Sequence, residues 1–203
     1  VMEWLVGEDL SQRLERGPLT VTECVELLKQ VGAALACAHQ MDIVHRDIKP
    51  SNLFLCEHGE RTVLLDFGVA HIDRESTLTA LTIAGSVVGT LNYMAPEQAS
   101  GDTKISAAAD IYALGRVAYR CLAARKSRPV AHVAAALARV MFEEDPPLSQ
   151  ICPWVPEPLS MLIARMMSKE PLRRPQNAMA LLGELAALGP LRSTAPVAAP
   201  PES

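Results

Sequence analysis

The sequence HRDIKPSN, residues 45–52, decides how the rest of the chain is interpreted, and we call it the polar loop. It places an imidazole, a guanidinium, a carboxylate, an ammonium and a carboxamide within eight residues. Polar groups at this density cost free energy when they are buried without partners, so the pattern indicates chemistry. A second carboxylate, Asp66, follows Asp47 by nineteen residues, at the end of a predicted strand.

These side chains have the properties that phosphoryl transfer requires. Carboxylate and carboxamide oxygens, as in Asp66 and Asn52, are hard ligands that suit Mg²⁺. A further carboxylate, Asp47, can take a proton from an incoming hydroxyl, and Lys49 can offset charge on a transferred phosphoryl group. Metal ions that bridge phosphates, a positioned nucleophile and charge stabilisation are the parts such a reaction uses.

Three motifs, in the right order, resemble those of protein kinases. The polar loop resembles the catalytic loop, DFG at 66–68 the magnesium loop, and APE at 95–97 the end of the activation segment. The longer stretches IVHRDIKPSN, GTLNYMAPEQ and KEPLRRP resemble the bacterial variant. On these motifs the chain is identified as a member of the eukaryotic-type (bacterial) serine/threonine protein kinase family.

The resemblance implies a mainly α fold, the C-terminal lobe of a kinase domain, with one short β-hairpin carrying the catalytic and magnesium loops. Residues 1–188 are predicted to be a partial kinase domain that starts at the hinge. Residues 189–203, rich in Pro and Ala, are predicted to be a linker or a disordered tail. The N-lobe is expected to be absent, because no G-x-G-x-x-G occurs and the first lysine, Lys29, lies in a predicted helix.

Hydrophobic periodicity predicts the helices and strands directly. Thr20 and Glu23 form the pattern of a capping box at the start of a long amphipathic helix. The segments LFLC and TVLL, around the turn EHGER, predict a hairpin. Further helices are predicted over Asp9 to Arg16, 106–124 (buried), 130–143, 157–168 and 176–188.

The resemblance assigns the chemistry to residues of the polar loop and of the magnesium loop. Asp47 would orient and deprotonate the substrate hydroxyl, and Lys49 would contact the γ-phosphate. Asn52 would be both a catalytic residue and a metal ligand, and it would hold Mg²⁺ together with Asp66. A purely structural role for these residues is the alternative.

A second set is implied in nucleotide binding: Met2 as the gatekeeper, Glu3 and Leu5 in the hinge that meets adenine, Asp9 at the ribose, and Phe54 under adenine. Asp9 stays open at this point. Glu8 could serve instead, or both acids could be solvated residues at a helix start.

A third set is implied in regulation or structure: His45 and Phe67 packed in a hydrophobic spine, Gly68 in the magnesium loop, Thr90 as a mark of Ser/Thr specificity, Asp110 holding the backbone of the catalytic loop, and Glu97 paired with Arg174. Arg46 would await a phosphate in the activation segment, for which Thr82 and Ser86 are candidates. Alternatively, those hydroxyls simply suit a loop. No site role is expected for His39, His58, His71 or His132.

Composition excludes several other classes of protein. The net charge is -4 without a basic run, which argues against nucleic-acid binding. Five scattered cysteines without a C-x-x-C pattern signal neither zinc nor disulfides. No uninterrupted apolar run approaches the roughly 18 residues of a membrane span, so no membrane segment is expected in this chain.

The predicted function is therefore an ATP-dependent protein serine/threonine kinase that transfers the γ-phosphate of Mg-ATP to a Ser or Thr hydroxyl. Its cofactors would be ATP and Mg²⁺, and its partners a protein substrate and its own N-lobe. The location would be cytoplasmic, alone or as part of a membrane-anchored kinase, and the isolated 203 residues are expected to be inactive. One alternative is a non-catalytic lobe that acts as a binding or regulatory module. A small-molecule phosphotransferase is disfavoured by Thr90 and the full activation segment.

Overall fold

A computed structural model of the chain describes residues 4–56, 60–66, 91–123 and 132–191. Several residues singled out above lie outside these ranges, as does most of the predicted tail: Met2, Glu3, Phe67, Gly68, Thr82, Ser86 and Thr90. Among the described residues, none of the helices combines the length and the apolar character needed to cross a bilayer.

The chain enters through a short strand and two capped helices. Strand β1 spans Gly7–Asp9, helix α1 spans Leu10–Glu15 and helix α2 spans Val21–His39. The predicted capping box is confirmed, because the Thr20 side chain accepts from Glu23 N–H and the Glu23 carboxylate accepts from Thr20 N–H. These contacts satisfy N–H groups that the first helical turn leaves without partners.

A small antiparallel sheet lies beside the helices. Strands β2 (Leu53–Cys56) and β3 (Arg61–Leu64) confirm the predicted hairpin. The expectation of a hairpin alone was incomplete, since β1 pairs with β2 and the order is β1-β2-β3. Only glycine allows this pairing at position 7: a Cβ there would lie 2.0 Å from the Leu55 carbonyl oxygen. Periodicity does not reveal so short a strand, because its pairing depends on backbone approach.

The remaining secondary-structure elements of the described chain are helices. The helices are α3 (Pro96–Ala99), α4 (Ala108–Ala123), α5 (Val133–Phe142), α6 (Leu148–Ile151), α7 (Glu157–Met166) and α8 (Ala178–Ala187). Two single turns of 3-10 helix, Pro50–Asn52 and Pro171–Arg173, complete the elements. The four predicted long helices are confirmed, while α3, α6 and both 3-10 turns are too short for periodicity to reveal.

Helix α4 is the centre of the core, as its apolar sequence predicts. Its residues Ile111, Leu114 and Val117 are fully buried. Gly115 lets α4 and α7 approach closely, because a Cβ there would lie 2.8 Å from the Met166 Cβ. Helices α2, α7 and α8 contribute to the same hydrophobic cluster, which forms a rigid platform beside the polar loop.

Candidate active site

The polar loop leaves α2 through residues 40–44 and runs into the 3-10 turn before β2. Ile48 is buried in the main core and holds the middle of the loop, so its polar neighbours Asp47 and Lys49 lie at the surface on either side. Asn52 then joins the loop to the sheet, because its carbonyl accepts from Leu65 N–H at 2.8 Å. The hairpin thereby returns the chain to Asn52 immediately before Asp66.

Three of the predicted catalytic and metal residues meet in this loop. Asp47 Oδ2 accepts from Lys49 Nζ at 2.7 Å and from Asn52 Nδ2 at 3.0 Å. Asn52 Nδ2 also donates to the Asp47 carbonyl at 2.8 Å. The Asp47 and Lys49 side chains are 39% and 22% exposed, so the carboxylate and the ammonium stay accessible to a reactant.

The donor atoms fit a magnesium ion that also binds phosphate. A carboxamide binds a cation through its oxygen, so Oδ1 is the atom of Asn52 that a cation would use, while Nδ2 donates to Asp47. Asp66 follows β3 with an exposed residue surface and a φ of 50°, in the left-handed region that Asp tolerates better than most residues. No group of three or more His, Cys, Asp or Glu side chains gathers anywhere in the described ranges. One carboxylate and one amide oxygen, those of Asp66 and Asn52, are the kind of protein ligands that Mg²⁺ uses alongside waters and substrate phosphates.

A buried carboxylate on α4 holds the backbone at the start of the polar loop. Asp110 Oδ2 accepts from His45 N–H and its Oδ1 accepts from Arg46 N–H, both at 2.8 Å. Arg46 has a φ of 67°, which is unfavourable for a residue with a Cβ. The two hydrogen bonds help to hold the chain in that conformation.

His39 contributes to this support, although the sequence pattern predicts no site role for it. Its Nε2 lies 2.9 Å from Asp110 Oδ2, and its Nδ1 accepts from Ala178 N–H at the start of α8. Because Nδ1 accepts, the ring proton is assigned to Nε2, which donates to the carboxylate. The sequence could have indicated that the His39 side chain is buried, because His39 follows Leu35 by four residues and therefore lies on the buried face of α2.

His45 links the polar loop to the strand that precedes Asp66. Its side chain is buried, with Nε2 lying 3.0 Å from the Leu65 carbonyl oxygen and Nδ1 accepting from Asp47 N–H at 3.3 Å. One imidazole thus contacts the backbone on both sides of the site. The predicted packing against Phe67 lies outside the described residues.

Glu97 and Arg174 form a buried ion pair behind the site. Arg174 donates through Nη1 and Nη2 to the two carboxylate oxygens of Glu97, at 2.7 and 2.9 Å. Its remaining donors reach the carbonyls of Ser168, Ala108 and Lys169. The guanidinium also lies 4.8 Å from the ring centroid of Tyr112. This pair joins α3 to the segment before α8.

Comparison with known proteins shows the family. The model of the protein kinase domain family matches residues 1–184. The chain belongs to this family. Serine/threonine-protein kinase pkn2 of Myxococcus xanthus is 34% identical over 191 residues, which cover 92% of this chain and 23% of that protein. Serine/threonine-protein kinase PknD of Mycobacterium tuberculosis is 37% identical over 179 residues, which cover 87% of this chain and 26% of that protein. The chain therefore spans about a quarter of the length of these two relatives.

The residues implied in nucleotide binding are only partly described in this kinase domain. Leu5 and Phe54 are half-buried, and Phe54 pairs with Asp9 across β1 and β2. The Asp9 carboxylate caps α1 by accepting from Gln12 N–H at 3.0 Å, and Glu8 forms a two-pronged ion pair with Arg16. The Asp9 contact is the helix-start role that the sequence left open.

Proposed function

We propose that the complete gene product containing these residues is an ATP-dependent protein serine/threonine kinase. It transfers the γ-phosphate of Mg-ATP to a Ser or Thr hydroxyl of a protein. The observation that carries the proposal is the contact of the accessible Asp47 carboxylate with Lys49 and Asn52, within a protein kinase domain. The names of the relatives support the same reaction class.

Asp47 is the proposed base of this reaction. A substrate hydroxyl that donates its hydrogen bond to the Asp47 carboxylate is oriented for attack and can transfer its proton there. Asn52, which contacts Oδ2 and the carbonyl of the same residue, limits the rotation of this carboxylate. The Lys49 ammonium, 2.7 Å from Asp47, supplies positive charge where a phosphoryl group would arrive.

Asn52 and Asp66 are the proposed ligands of Mg²⁺. Asn52 and Asp66 would hold the ion there, and the chemistry it would supply is positive charge that stabilises the charge developing on the transferred phosphoryl group. The protein's part is to hold the amide oxygen of Asn52 and the carboxylate of Asp66 side by side. The pairing of β2 with β3 and the bond from Leu65 N–H to the Asn52 carbonyl support this arrangement.

The remaining roles belong to the same proposal. Leu5 and Phe54 would contact adenine and Asp9 the ribose. Arg46, an exposed residue, would pair with a phosphate on Thr82 or Ser86. Residues 1–188 would be the hinge and C-terminal lobe, and residues 189–203 a linker or tail. A cytoplasmic location is proposed from the need for ATP and from five cysteines that are all free thiols.

Asp47→Asn in the complete gene product is the test. It should lower phosphate transfer from Mg-ATP to a Ser/Thr substrate by about a hundredfold or more, since a general base contributes on that scale. Thermal unfolding should stay close to wild type, because the substituted asparagine can still accept a hydrogen bond from Asn52. Asp42→Asn is a matched control: Asp42 is exposed just before the polar loop, and its φ of 55° suits asparagine.

The result distinguishes a kinase with Asp47 as its base from a non-catalytic binding module. Undiminished transfer by Asp47→Asn would refute the base assignment. A wild-type protein that folds, binds its partners and transfers no phosphate would favour the alternative, a non-catalytic binding module.

A further inference from the structure

We propose that Gln98 is a positioning residue, which fixes the peptide bond immediately before the proposed base. Gln98 Nε2 donates to the Arg46 carbonyl at 3.0 Å, across 52 residues of sequence. Its Oε1 accepts from Ala95 N–H at 3.1 Å, at the start of α3. This inference rests on the proposed function for its catalytic consequence, although the contact itself does not.

The peptide that Gln98 holds is the one that joins Arg46 to Asp47. A peptide unit is planar, so a partner that fixes the Arg46 carbonyl oxygen also restricts the Asp47 N–H and Cα. On the other face of this unit, Asp47 N–H donates to His45 Nδ1 at 3.3 Å. The direction in which the Asp47 carboxylate leaves the backbone therefore depends on both contacts.

Arg46 is the residue in the polar loop whose backbone most needs such support. Its φ of 67° is unfavourable for a residue with a Cβ, and such conformations persist only where the surroundings enforce them. Its N–H donates to Asp110 Oδ1 at 2.8 Å and its carbonyl accepts from Gln98. Arg46 is thus held from α4 on one side and from α3 on the other.

Capping of α3 does not explain this contact. A glutamine or a glutamate can cap a helix, because the cap uses only a side-chain oxygen. The amide nitrogen of Gln98 is not needed for that purpose, yet it donates to a carbonyl in another part of the fold. The nitrogen is therefore the atom that carries the positioning role.

Helix α3 is firmly anchored, as a positioning element must be. Gln98 follows Glu97, whose carboxylate is buried against Arg174 at 2.7 Å. Two adjacent residues of α3 thus face different partners, one in the interior and one in the polar loop. Through Gln98, the end of the segment that resembles the activation segment is tied to the backbone beside Asp47.

Gln98→Glu tests this role apart from capping. The glutamate keeps an oxygen for Ala95 N–H and replaces the donor that faces the Arg46 carbonyl with an acceptor. Amide hydrogen exchange of Arg46 and Asp47, followed by NMR, should speed up by about tenfold while Ala95 stays protected. In the complete gene product, kcat should fall by about ten- to a hundredfold, with little change in KM for ATP.

Two further variants complete the design. Gln98→Ala should lose protection at Ala95 as well as at Arg46 and Asp47. Gln176→Glu is the matched control, because Gln176 Nε2 also donates to backbone carbonyls, those of Pro171 and Arg174, away from the polar loop. It should leave exchange at Arg46 and Asp47 unchanged.

Wild-type exchange at Arg46 and Asp47 in Gln98→Glu would overturn the proposal and leave Gln98 as a helix cap only. The exchange measurement requires neither ATP nor activity. If the wild-type protein transfers no phosphate, the proposed kinase function fails, while the exchange result still decides whether Gln98 holds this peptide.

Discussion

Two groups of polar and charged side chains, one buried behind the polar loop and one accessible within it, differ in what surrounds them. We call His39, Glu97, Asp110 and Arg174 the buried group, and Asp47 with Lys49 the open pair. Side chains of the buried group are between 0% and 8% exposed, whereas those of the open pair are 39% and 22% exposed. Arg174 donates five hydrogen bonds, which is the full capacity of a guanidinium.

The difference suits the proposed function, in which the backbone of the polar loop is held while two of its charged side chains stay accessible. A buried charge is tolerated only when partners replace its lost hydration, and removing one partner is costly. No buried side-chain nitrogen or oxygen lacks a hydrogen-bond partner in the described part of the chain. An ion pair near the surface contributes little to the free energy of unfolding. Breaking the contact between Asp47 and Lys49 therefore costs little, as the proposed role of these residues requires. Asp110 in the buried group holds the loop backbone, and the open pair stays accessible for the proposed chemistry.

Removing the cation of the buried group should give the largest effect. Arg174→Met leaves the Glu97 carboxylate buried without its partner, so the free energy of unfolding should fall by about 3–5 kcal/mol. Urea denaturation of the chain, followed by circular dichroism, measures this change.

The neighbouring residue is a matched control for that experiment. Arg173 pairs with Glu170, but these side chains are 70% and 65% exposed. Arg173→Met should therefore change the free energy of unfolding by about 0–1 kcal/mol. Equal losses for the two variants would show that burial does not separate the two kinds of pair.

A distinction between local patterns and contacts distant in sequence explains which parts of the fold the sequence predicted. A long amphipathic segment with a capping box predicts α2, and a long segment that is apolar almost all round predicts α4; both signals are visible in the residue order. Strand β1 depends on the approach of Gly7 to the Leu55 carbonyl, a contact between distant parts of the chain. Short helices such as α3 contain too few residues for a period to be read.

The candidate site shows the same limit at the level of side chains. Motif resemblance pointed to Asp47, Asn52 and Asp66, and the structure brings Asp47 and Asn52 into contact. It could not reveal that His39 contacts Asp110 or that Gln98 contacts Arg46, because these partners lie 71 and 52 residues apart. The residue type shows which hydrogen bonds a side chain can make, whereas the tertiary fold determines the residue with which it makes them.

His39 tests whether a neutral member of the buried group matters as a charged one does. His39→Ala removes a donor to Asp110 and the acceptor for Ala178 N–H. We expect a loss of about 1–3 kcal/mol in the free energy of unfolding, the usual cost of unpaired buried polar groups. The same urea denaturation measures it.

A second histidine provides the comparison for His39→Ala. His132 precedes α5, is exposed, and its side chain makes no capping hydrogen bond. His132→Ala should change the free energy of unfolding by no more than about 0.5 kcal/mol. Equal losses for His39→Ala and His132→Ala would show that the buried contacts of His39 do not stabilise the fold.

A buried thiol extends the contrast to the pH dependence of stability. Burial raises the pKa of the Cys121 thiol from its usual 9.0 to about 12. Between these values the folded chain keeps a proton that the unfolded chain loses, so the folded state binds more protons. The stabilisation from Cys121 is therefore fully present below about pH 9 and is lost as the pH rises toward about 12.

Cys121→Ala should accordingly cost less stability at about pH 10.5 than at about pH 8. Val117→Ala removes buried volume from the same helix without a titrating group, so its cost should not change between these pH values. Urea denaturation at the two pH values measures the loss in the free energy of unfolding for each variant. Parallel behaviour of the two variants would mean that Cys121 does not keep its proton in the folded chain. Burial in the core would then not keep the Cys121 thiol protonated.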